Sequence, residues 1–148
     1  MRSRAQELGL ATARKAGVDH AIDVAREPGG LTVLTNEEGP FDVLLEALGN
    51  AAALRNSIDH LQPRGIVAQM GLGGDVSLPI NTIVTRELDI RGRLRFDAEF
   101  AIAVDLMGCG RIDVKSLISA SVPFREALDA FNLSGDRSRS VKVQLTFA

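Results

Sequence analysis

The sequence predicts an α/β protein built on a parallel sheet with flanking helices. Segments with strand patterns alternate with segments with helix patterns, which is typical of βαβ units. Two of the strand segments are mostly apolar, as expected of strands buried on both faces. The chain has 148 residues, 45% of them hydrophobic and 24% charged, which suits one globular domain with a real core.

The first predicted elements are a helix, a short strand and a weaker helix. Residues from about Ala5 to Ala16 are rich in alanine and favour a helix, and Gly17 is placed to end it. Residues 21–24 form a short strand candidate, and a weaker helix follows Gly30.

The middle of the chain begins with a buried strand at Phe41–Glu46. Asn50 can cap the helix that follows, because its side-chain oxygen can accept a hydrogen bond from a free N–H group of the first turn. Leu54, Ile58 and Leu61 are spaced to share one face of that helix.

A turn at residues 63–65 leads into a second buried strand, residues 66–70, and a glycine-rich loop at residues 71–75 follows directly. In residues 88–96, apolar residues and Gly92 alternate strictly with charged residues. Such a strand has one buried face and one solvent-exposed face, so we expect it at or near an edge of the sheet.

The C-terminal third predicts two helices and a final alternating segment, residues 141–147. Pro123 is expected in the first turn of the second helix. The apolar stripes that indicate the two helices are Phe100, Val104 and Met107 on the first, and Phe124, Leu128 and Phe131 on the second.

Charge and composition argue against several classes of protein. A formal net charge of −2 lacks the basic excess of a nucleic-acid-binding surface. No apolar run has the length of a membrane span, and no signal-type segment follows the basic N-terminus, so a cytoplasmic location is expected. The single Cys109 excludes an internal disulfide, and with only His20 and His60 a zinc site within the chain is not expected.

The candidate site lies in three loops. Ligands of parallel α/β sheets bind beyond the carboxyl ends of the strands. The loops after Glu46, Met70 and Leu94 are therefore the segments in which we expect functional residues.

The same loops carry a resemblance to the zinc-type medium-chain alcohol and polyol dehydrogenases. Residues 41–50 resemble the "FDVVFEASGN" stretch of sorbitol-type members, and residues 64–73 resemble their glycine-rich stretch ending in "VGLG". Residues 87–96 are similar to their stretch that begins with glutamate, a hydrophobic residue, aspartate and isoleucine. Residues 110–118 and 123–127 match the segments that follow, so the resemblance covers nearly the whole chain in order.

Within that family, residues 97–100 and 135–138 most resemble L-idonate 5-dehydrogenase-like members. The family combines a zinc-bearing catalytic domain with a Rossmann domain. The resemblance therefore implies a partial NAD(P)-binding Rossmann domain over residues 1–120. Residues 121–148 are then a helix and strand that return to a catalytic domain absent from the chain. The expected fold is an incomplete Rossmann-like parallel sheet that lacks its first two strands.

The resemblance implies NAD or NADP as cofactor. No G-x-G-x-x-G motif occurs, so we expect the phosphate-binding turn to be absent, with zinc bound only in the missing catalytic domain. Counting back along the family pattern, its ribose-binding acid falls at Arg4, next to Ser3. An arginine there favours NADP, but a frayed chain start with no role is the preferred interpretation.

Two triplets match the family's cofactor-contacting positions: Met70, Gly71 and Leu72, and then Leu94, Arg95 and Phe96. A carboxamide needs one rigid donor and one rigid acceptor, which backbone groups at a strand end supply. The alternative for the first triplet is a simple tight turn. For the second, Arg91, Arg93 and Arg95 share a strand face and could protect a sheet edge, although the arginine fork of Arg95 could reach a phosphate or carboxamide oxygen.

Glu46, at the end of a buried strand, could orient the cofactor or a loop, although such a residue more often caps the next helix. No catalytic residue or metal ligand is expected in the chain. We expect a segment of an alcohol or polyol dehydrogenase that is inactive alone.

In the Rossmann strand order 3-2-1-4-5-6, residues 21–24 would be a third strand without its partners, which leaves a bare edge. We therefore expect a homo-oligomer or association through exposed strand edges. The alternatives to a dehydrogenase segment are a non-catalytic module that binds a ligand or partner, and an interaction fragment that adds its edge strand, residues 88–96, to a longer relative.

Overall fold

A computed structural model describes residues 4–147, which form two compact units: Val24–Asp97, and the described residues on either side of that segment. In chain order the elements are α1 (Arg4–Lys15), α2 (Gly30–Glu38), β1 (Phe41–Glu46), α3 (Ala51–Ile58), β2 (Leu61–Gln69), α4 (Ile80–Thr85), β3 (Asp89–Gly92), α5 (Glu99–Gly108), β4 (Ile118–Pro123), α6 (Ala127–Gly135) and β5 (Lys142–Thr146). Short 3-10 turns at Lys115–Leu117 and Phe124–Glu126 flank β4.

The unit Val24–Asp97 is built on a three-stranded parallel sheet in the order β1-β2-β3. α3 connects β1 to β2 and α4 connects β2 to β3, as parallel neighbours require. This confirms the predicted α/β class with a parallel sheet and flanking helices. The carboxyl ends of all three strands lie at one edge of the sheet, where the loops of the predicted site begin.

The core of this unit lies on one face of the sheet, under α3. Its buried members are Leu54, Ile58, Leu61, Val67 and Leu88. Ile58 and Val67 have no exposed side-chain surface. Burial of each large aliphatic side chain stabilises the fold by about 1.5–3 kcal/mol, so this cluster stabilises the packing of α3 against the sheet.

Residues 63–65 do not form the predicted turn but lie within β2. The register passes from Phe41↔Leu61 to Val43↔Ile66, so β2 carries extra residues opposite β1. Arg64 has a φ of 66°, and its N–H group donates to Arg86 O at 2.7 Å. The chain therefore bulges and stays in the sheet. Leu61, expected on the helix, is consequently the first residue of β2 and is buried there.

β3 lies at a sheet edge as predicted, but it is much shorter than residues 88–96. Because β2 ends at Gln69, strand residues beyond Arg93, whose N–H group donates to Gln69 O at 2.9 Å, have no neighbour to pair with. Arg95 has a φ of 59°, which breaks the alternation. The expected buried face is therefore wrong beyond Leu88: all four residues of β3 are exposed, and after the strand Leu94 is 72% and Phe96 is 66% exposed.

The second unit begins with α1, whose predicted glycine end is confirmed. Gly17 has a φ of 90°, its N–H group donates to Arg14 O, and Val18 N–H donates to Ala13 O. This pair of bonds is a Schellman cap. The strand predicted at residues 21–24 is wrong: these residues are irregular, since no strand of the described chain pairs with them.

The second unit also contains a two-stranded parallel sheet, β4 with β5, connected through α6. The final strand confirms the predicted alternating segment, whereas β4 was not predicted. Pro123 ends β4 with an extended ψ of 142° and does not enter the helix, which begins at Ala127. Within residues 4–147, no helix combines the length and hydrophobicity that a bilayer crossing requires.

Candidate functional site

The candidate site is built from the loops that leave the three parallel strands. The first loop (residues 47–50) follows β1, the second loop (residues 70–74) follows β2, and the third loop (residues 93–96) follows β3. A cleft of about 350 Å³ opens between the first two loops and α3. Its apolar lining includes Leu54, Val67, Leu72, Val76, Leu78 and Ile90.

Glu46 is the polar centre of the site. Its Oε1 atom accepts hydrogen bonds from Leu48 N (2.9 Å) and Asn50 N (3.3 Å). Its Oε2 atom accepts from Gly49 N (3.0 Å) and from Gln69 Nε2 (2.7 Å). Glu46 and Gln69 are register partners on β1 and β2, which places their side chains on the same face of the sheet.

These hydrogen bonds determine the charge of Glu46. Burial works to raise the pKa of this carboxyl group, but the N–H groups of Gly49, Leu48 and Asn50 and the Gln69 amide stabilise the ionised form more strongly. The pKa of Glu46 therefore lies below its ordinary value of 4.5, and the residue is a carboxylate at neutral pH.

The main chain of Glu46 also holds the second loop. Its carbonyl oxygen accepts from Met70 N (2.8 Å) and Gly71 N (2.9 Å). Gln69 Nε2 donates a second bond to Gly71 O at 2.8 Å. Gln69 Oε1 is buried and is the one side-chain polar atom without a partner among the buried atoms of the described residues. Both loops are thus fixed by bonds that meet at the ends of β1 and β2.

The two loops touch backbone to backbone at Gly49, Gly71 and Gly73, here called the glycine crossing. Gly49 has a φ of 68°, and a Cβ atom there would lie 2.6 Å from the carbonyl carbon of Leu72. A Cβ at Gly71 would meet Gly49 N and lie 2.5 Å from Glu46 Oε2, and one at Gly73 would meet Gly49 O. No side chain fits at these positions, so glycine permits the close approach.

The predicted triplet Met70, Gly71 and Leu72 forms the start of the second loop. Gly71 and Leu72 line the cleft, whereas Met70 is 41% exposed beside it. Within the described chain, no backbone hydrogen bond uses the Met70 carbonyl or the Leu72 N–H group. One acceptor and one donor therefore flank Gly71, which lines the cleft, and a carboxamide requires one of each.

The predicted triplet Leu94, Arg95 and Phe96 lies in the third loop, and all three residues are exposed. They follow β3 at the same sheet edge as the second loop, but they do not line the cleft. Arg91 bonds Asp89 at 2.8 Å through Nε, and with Arg95 in a left-handed conformation the predicted common face of the three arginines is not formed.

The structure distinguishes the roles predicted for Glu46 and adds one residue to the site, Gln69. The sequence predicts that Glu46 orients the cofactor or a loop or, as is more common, caps the next helix, which is α3. It orients the first loop, while Asn50 Oδ1 caps α3 by accepting from Ala52 N and Ala53 N, both at 3.0 Å. Gln69 was not singled out, although an amide at the end of an otherwise apolar buried strand was a signal.

Two further predictions concern a metal ion and the ribose-binding position. Within residues 4–147, no three His, Cys, Asp or Glu side chains are grouped so as to hold a metal ion, so these residues do not fit a zinc site. The prediction about the ribose-binding acid concerns Ser3 and Arg4. Ser3 and the side chain of Arg4 lie outside the described part of the structure.

The sequence and fold match known proteins. Residues 3–108 match the family described as "Zinc-binding dehydrogenase". The chain is similar to L-idonate 5-dehydrogenase (NAD(P)(+)) of Escherichia coli (strain K12), with 35% identity over 112 residues that cover 75% of this chain and 33% of the relative. It is also similar to sorbitol dehydrogenase of Gallus gallus, with 31% identity over 140 residues that cover 92% of this chain and 39% of the relative.

The fold matches a crystal structure from E. coli CFT073, the short chain alcohol dehydrogenase (rspB) complexed with cofactor NADH. The TM-score is 0.84 at 24% identity, over 93% of this chain and 41% of that one. The chain thus spans between a third and about two fifths of the length of these relatives.

Proposed function

Because the chain belongs to the zinc-binding dehydrogenase family, we propose that it is the segment that binds the nicotinamide end of the cofactor in an NAD(P)-dependent alcohol or polyol dehydrogenase of L-idonate 5-dehydrogenase type. The similarity to L-idonate and sorbitol dehydrogenases supports the substrate class. NAD and NADP both remain within the proposal, since the first of these relatives is named for both cofactors.

One observation carries this proposal: the Met70 carbonyl and the Leu72 N–H group, which make no backbone hydrogen bond within the described chain, flank Gly71 in the lining of the cleft. In the proposal, they accept from and donate to the carboxamide, and this pairing orients the ring. Leu94, Arg95 and Phe96 are proposed to contact the same end of the cofactor from the neighbouring strand, since β2 and β3 are parallel and adjacent. A nicotinamide supplies hydride transfer when bound, and the chain supplies orientation.

The proposal assigns zinc to a catalytic domain outside this sequence, with residues 1–120 in the nucleotide-binding domain and residues 121–148 returning to the catalytic domain. The described residues do not fit a zinc ion, so no step is derived through the metal. We expect no turnover by the chain alone. Oxidation of sorbitol or L-idonate by the pure chain with NAD or NADP and added zinc would contradict this part.

Ligand binding tests the nicotinamide assignment directly. Binding can be followed by titration of NADH fluorescence, because the reduced nicotinamide itself is the fluorescent group. Reduced nicotinamide mononucleotide is expected to displace NADH, and ADP-ribose is expected to bind at least about tenfold more weakly than NADH, since one tenfold step corresponds to the loss of one or two neutral hydrogen bonds. Equal binding of ADP-ribose and NADH would show that the nicotinamide end is not recognised.

A second candidate is a non-catalytic ligand- or partner-binding segment that associates through sheet edges. It is favoured by β3, which lies at an edge of the sheet with all four residues exposed. An unpaired edge can template pairing with another strand, in a second copy or a longer relative. Sedimentation velocity over a range of concentrations tests this: self-association is expected, and a monomer at every concentration would count against a homo-oligomer.

A further inference from the structure

We propose that Glu46, together with Gln69, is a positioning residue that sets the separation of the first two loops and thereby holds the Met70 carbonyl and the Leu72 N–H group in place. The inference deepens the proposed nicotinamide site and rests on it. It concerns how the site is held in shape and does not give Glu46 any contact with a ligand.

The hydrogen bonds of Glu46 exclude a role as a proton acceptor. Each carboxylate oxygen accepts two bonds, from Leu48 N and Asn50 N at one oxygen and from Gly49 N and Gln69 Nε2 at the other. A carboxylate offers about four acceptor positions, so this group is fully occupied. It has no position left for a substrate proton and acts through the loops that it binds.

The same residue joins both loops. Its side chain accepts hydrogen bonds from N–H groups of the first loop, and its carbonyl oxygen accepts from Met70 N and Gly71 N of the second loop. Gln69 Nε2 completes the connection, because it bonds both the Glu46 carboxylate and Gly71 O. The glycine crossing leaves no side chain between the loops, so these polar bonds fix their spacing.

A neutral amide cannot replace the carboxylate. In the variant E46Q, the amide nitrogen would stand either where Leu48 N and Asn50 N donate or where Gly49 N and Gln69 Nε2 donate. In both orientations the glutamine NH2 group would face two N–H donors, so two of the four hydrogen bonds to the side chain would be lost. The charge and the shape of a carboxylate are therefore both required.

The test compares E46Q, the exchanged pair E46Q/Q69E and the control E37Q in the full chain. E37Q removes an exposed glutamate of the same unit. Amide hydrogen exchange at residues 48–50 reports the loop, and titration with NADH reports the cofactor site. In E46Q we expect exchange at these amides to be faster by about tenfold or more, and NADH to bind about tenfold more weakly, as for loss of a hydrogen bond to a charged group.

E37Q is expected to leave both readouts unchanged. The exchanged pair retains a carboxylate beside an amide but withdraws the carboxylate from the three N–H groups, so it should not rescue either readout. Full rescue, or unchanged exchange in E46Q, would overturn the proposal.

If E46Q does not melt cooperatively, its readouts cannot be interpreted as a loop effect, and the variant Q69L takes its place in the test. Q69L leaves the three backbone N–H bonds to Glu46 in place. Q69L is expected to keep the slow exchange of residues 48–50 while weakening NADH binding, and unchanged binding would overturn the role of the pair. A wild-type chain that does not bind NADH would refute the nicotinamide assignment, whereas the exchange data would still decide whether Glu46 fixes the loop.

Discussion

Adding one methyl group at Gly49 is expected to be strongly destabilising, because this position combines a left-handed backbone with a close main-chain contact. Gly49 has a φ of 68°, and the added Cβ would lie 2.6 Å from the carbonyl carbon of Leu72. A left-handed backbone costs alanine about 1–2 kcal/mol, and overfilling a packed site costs about 1–3 kcal/mol. We therefore expect G49A to lower the free energy of unfolding by about 2–5 kcal/mol.

Three other glycines of the same unit separate the two contributions. Gly74 has a φ of 80° but nothing within 4 Å of its added Cβ, so G74A should carry only the backbone cost. Gly71 has no positive φ but would meet Gly49 N, so G71A should carry only the contact cost. Gly92 has neither problem, and G92A should change stability by less than about 0.5 kcal/mol.

Urea unfolding followed by far-ultraviolet circular dichroism gives the four free energies, since the chain has no tryptophan or tyrosine to follow by fluorescence. G49A should be destabilised more than G74A, and G74A more than G92A, while the loss of stability in G71A measures a contact cost without the backbone cost. Equal losses in G49A and G74A would refute the reasoning, because the close approach of the first loop to Leu72 would then contribute nothing.

Three further outcomes are expected. I58A, at a fully buried position, should lower the free energy of unfolding in urea by about 2–5 kcal/mol, whereas I80A on the surface should lower it far less. N50A should lower the free energy of unfolding by about 1 kcal/mol and fray the start of α3, and faster amide hydrogen exchange in the first turn of α3 would show this fraying. Glu46 has a folded pKa below its unfolded value, so its stabilisation is present above about pH 4.5 and is lost as pH falls through the folded pKa. E46Q should lessen the acid sensitivity of the urea midpoint below pH 4.5, and an unchanged slope would contradict the lowered pKa.

The position of β1 could be predicted from its local pattern, but its burial could not: Val43 is 48% and Leu45 is 65% exposed, so the strand is not buried on both faces as expected. Phe41–Glu46 has four apolar residues, is followed by a glycine-containing loop and forms β1 with the predicted bounds. Asn50 was recognisable as a cap because capping depends on bonds within one turn. Residues 21–24 were misread because a strand exists only with a partner for its N–H and C=O groups, and no local pattern shows whether one is present.

The interior of the site was less predictable for the same reason. Glu46 and Gln69 are 23 positions apart, and only the parallel register brings their side chains together. The bulge at residues 63–65 helps to set that register, yet proline and glycine there indicate a turn equally well. The second loop was found from its glycines, but its contact with Gly49 follows from the packing of two loops that are distant in sequence.

The glycine crossing also determines where this scaffold can be redesigned. Evolution and directed mutagenesis both search by exchanging side chains, and at Gly49, Gly71 and Gly73 any side chain would collide with main-chain atoms. Libraries aimed at new ligand preferences should therefore leave these three codons fixed. Diversity belongs at Leu72 and Val76, whose side chains line the cleft and are not enclosed by other loops.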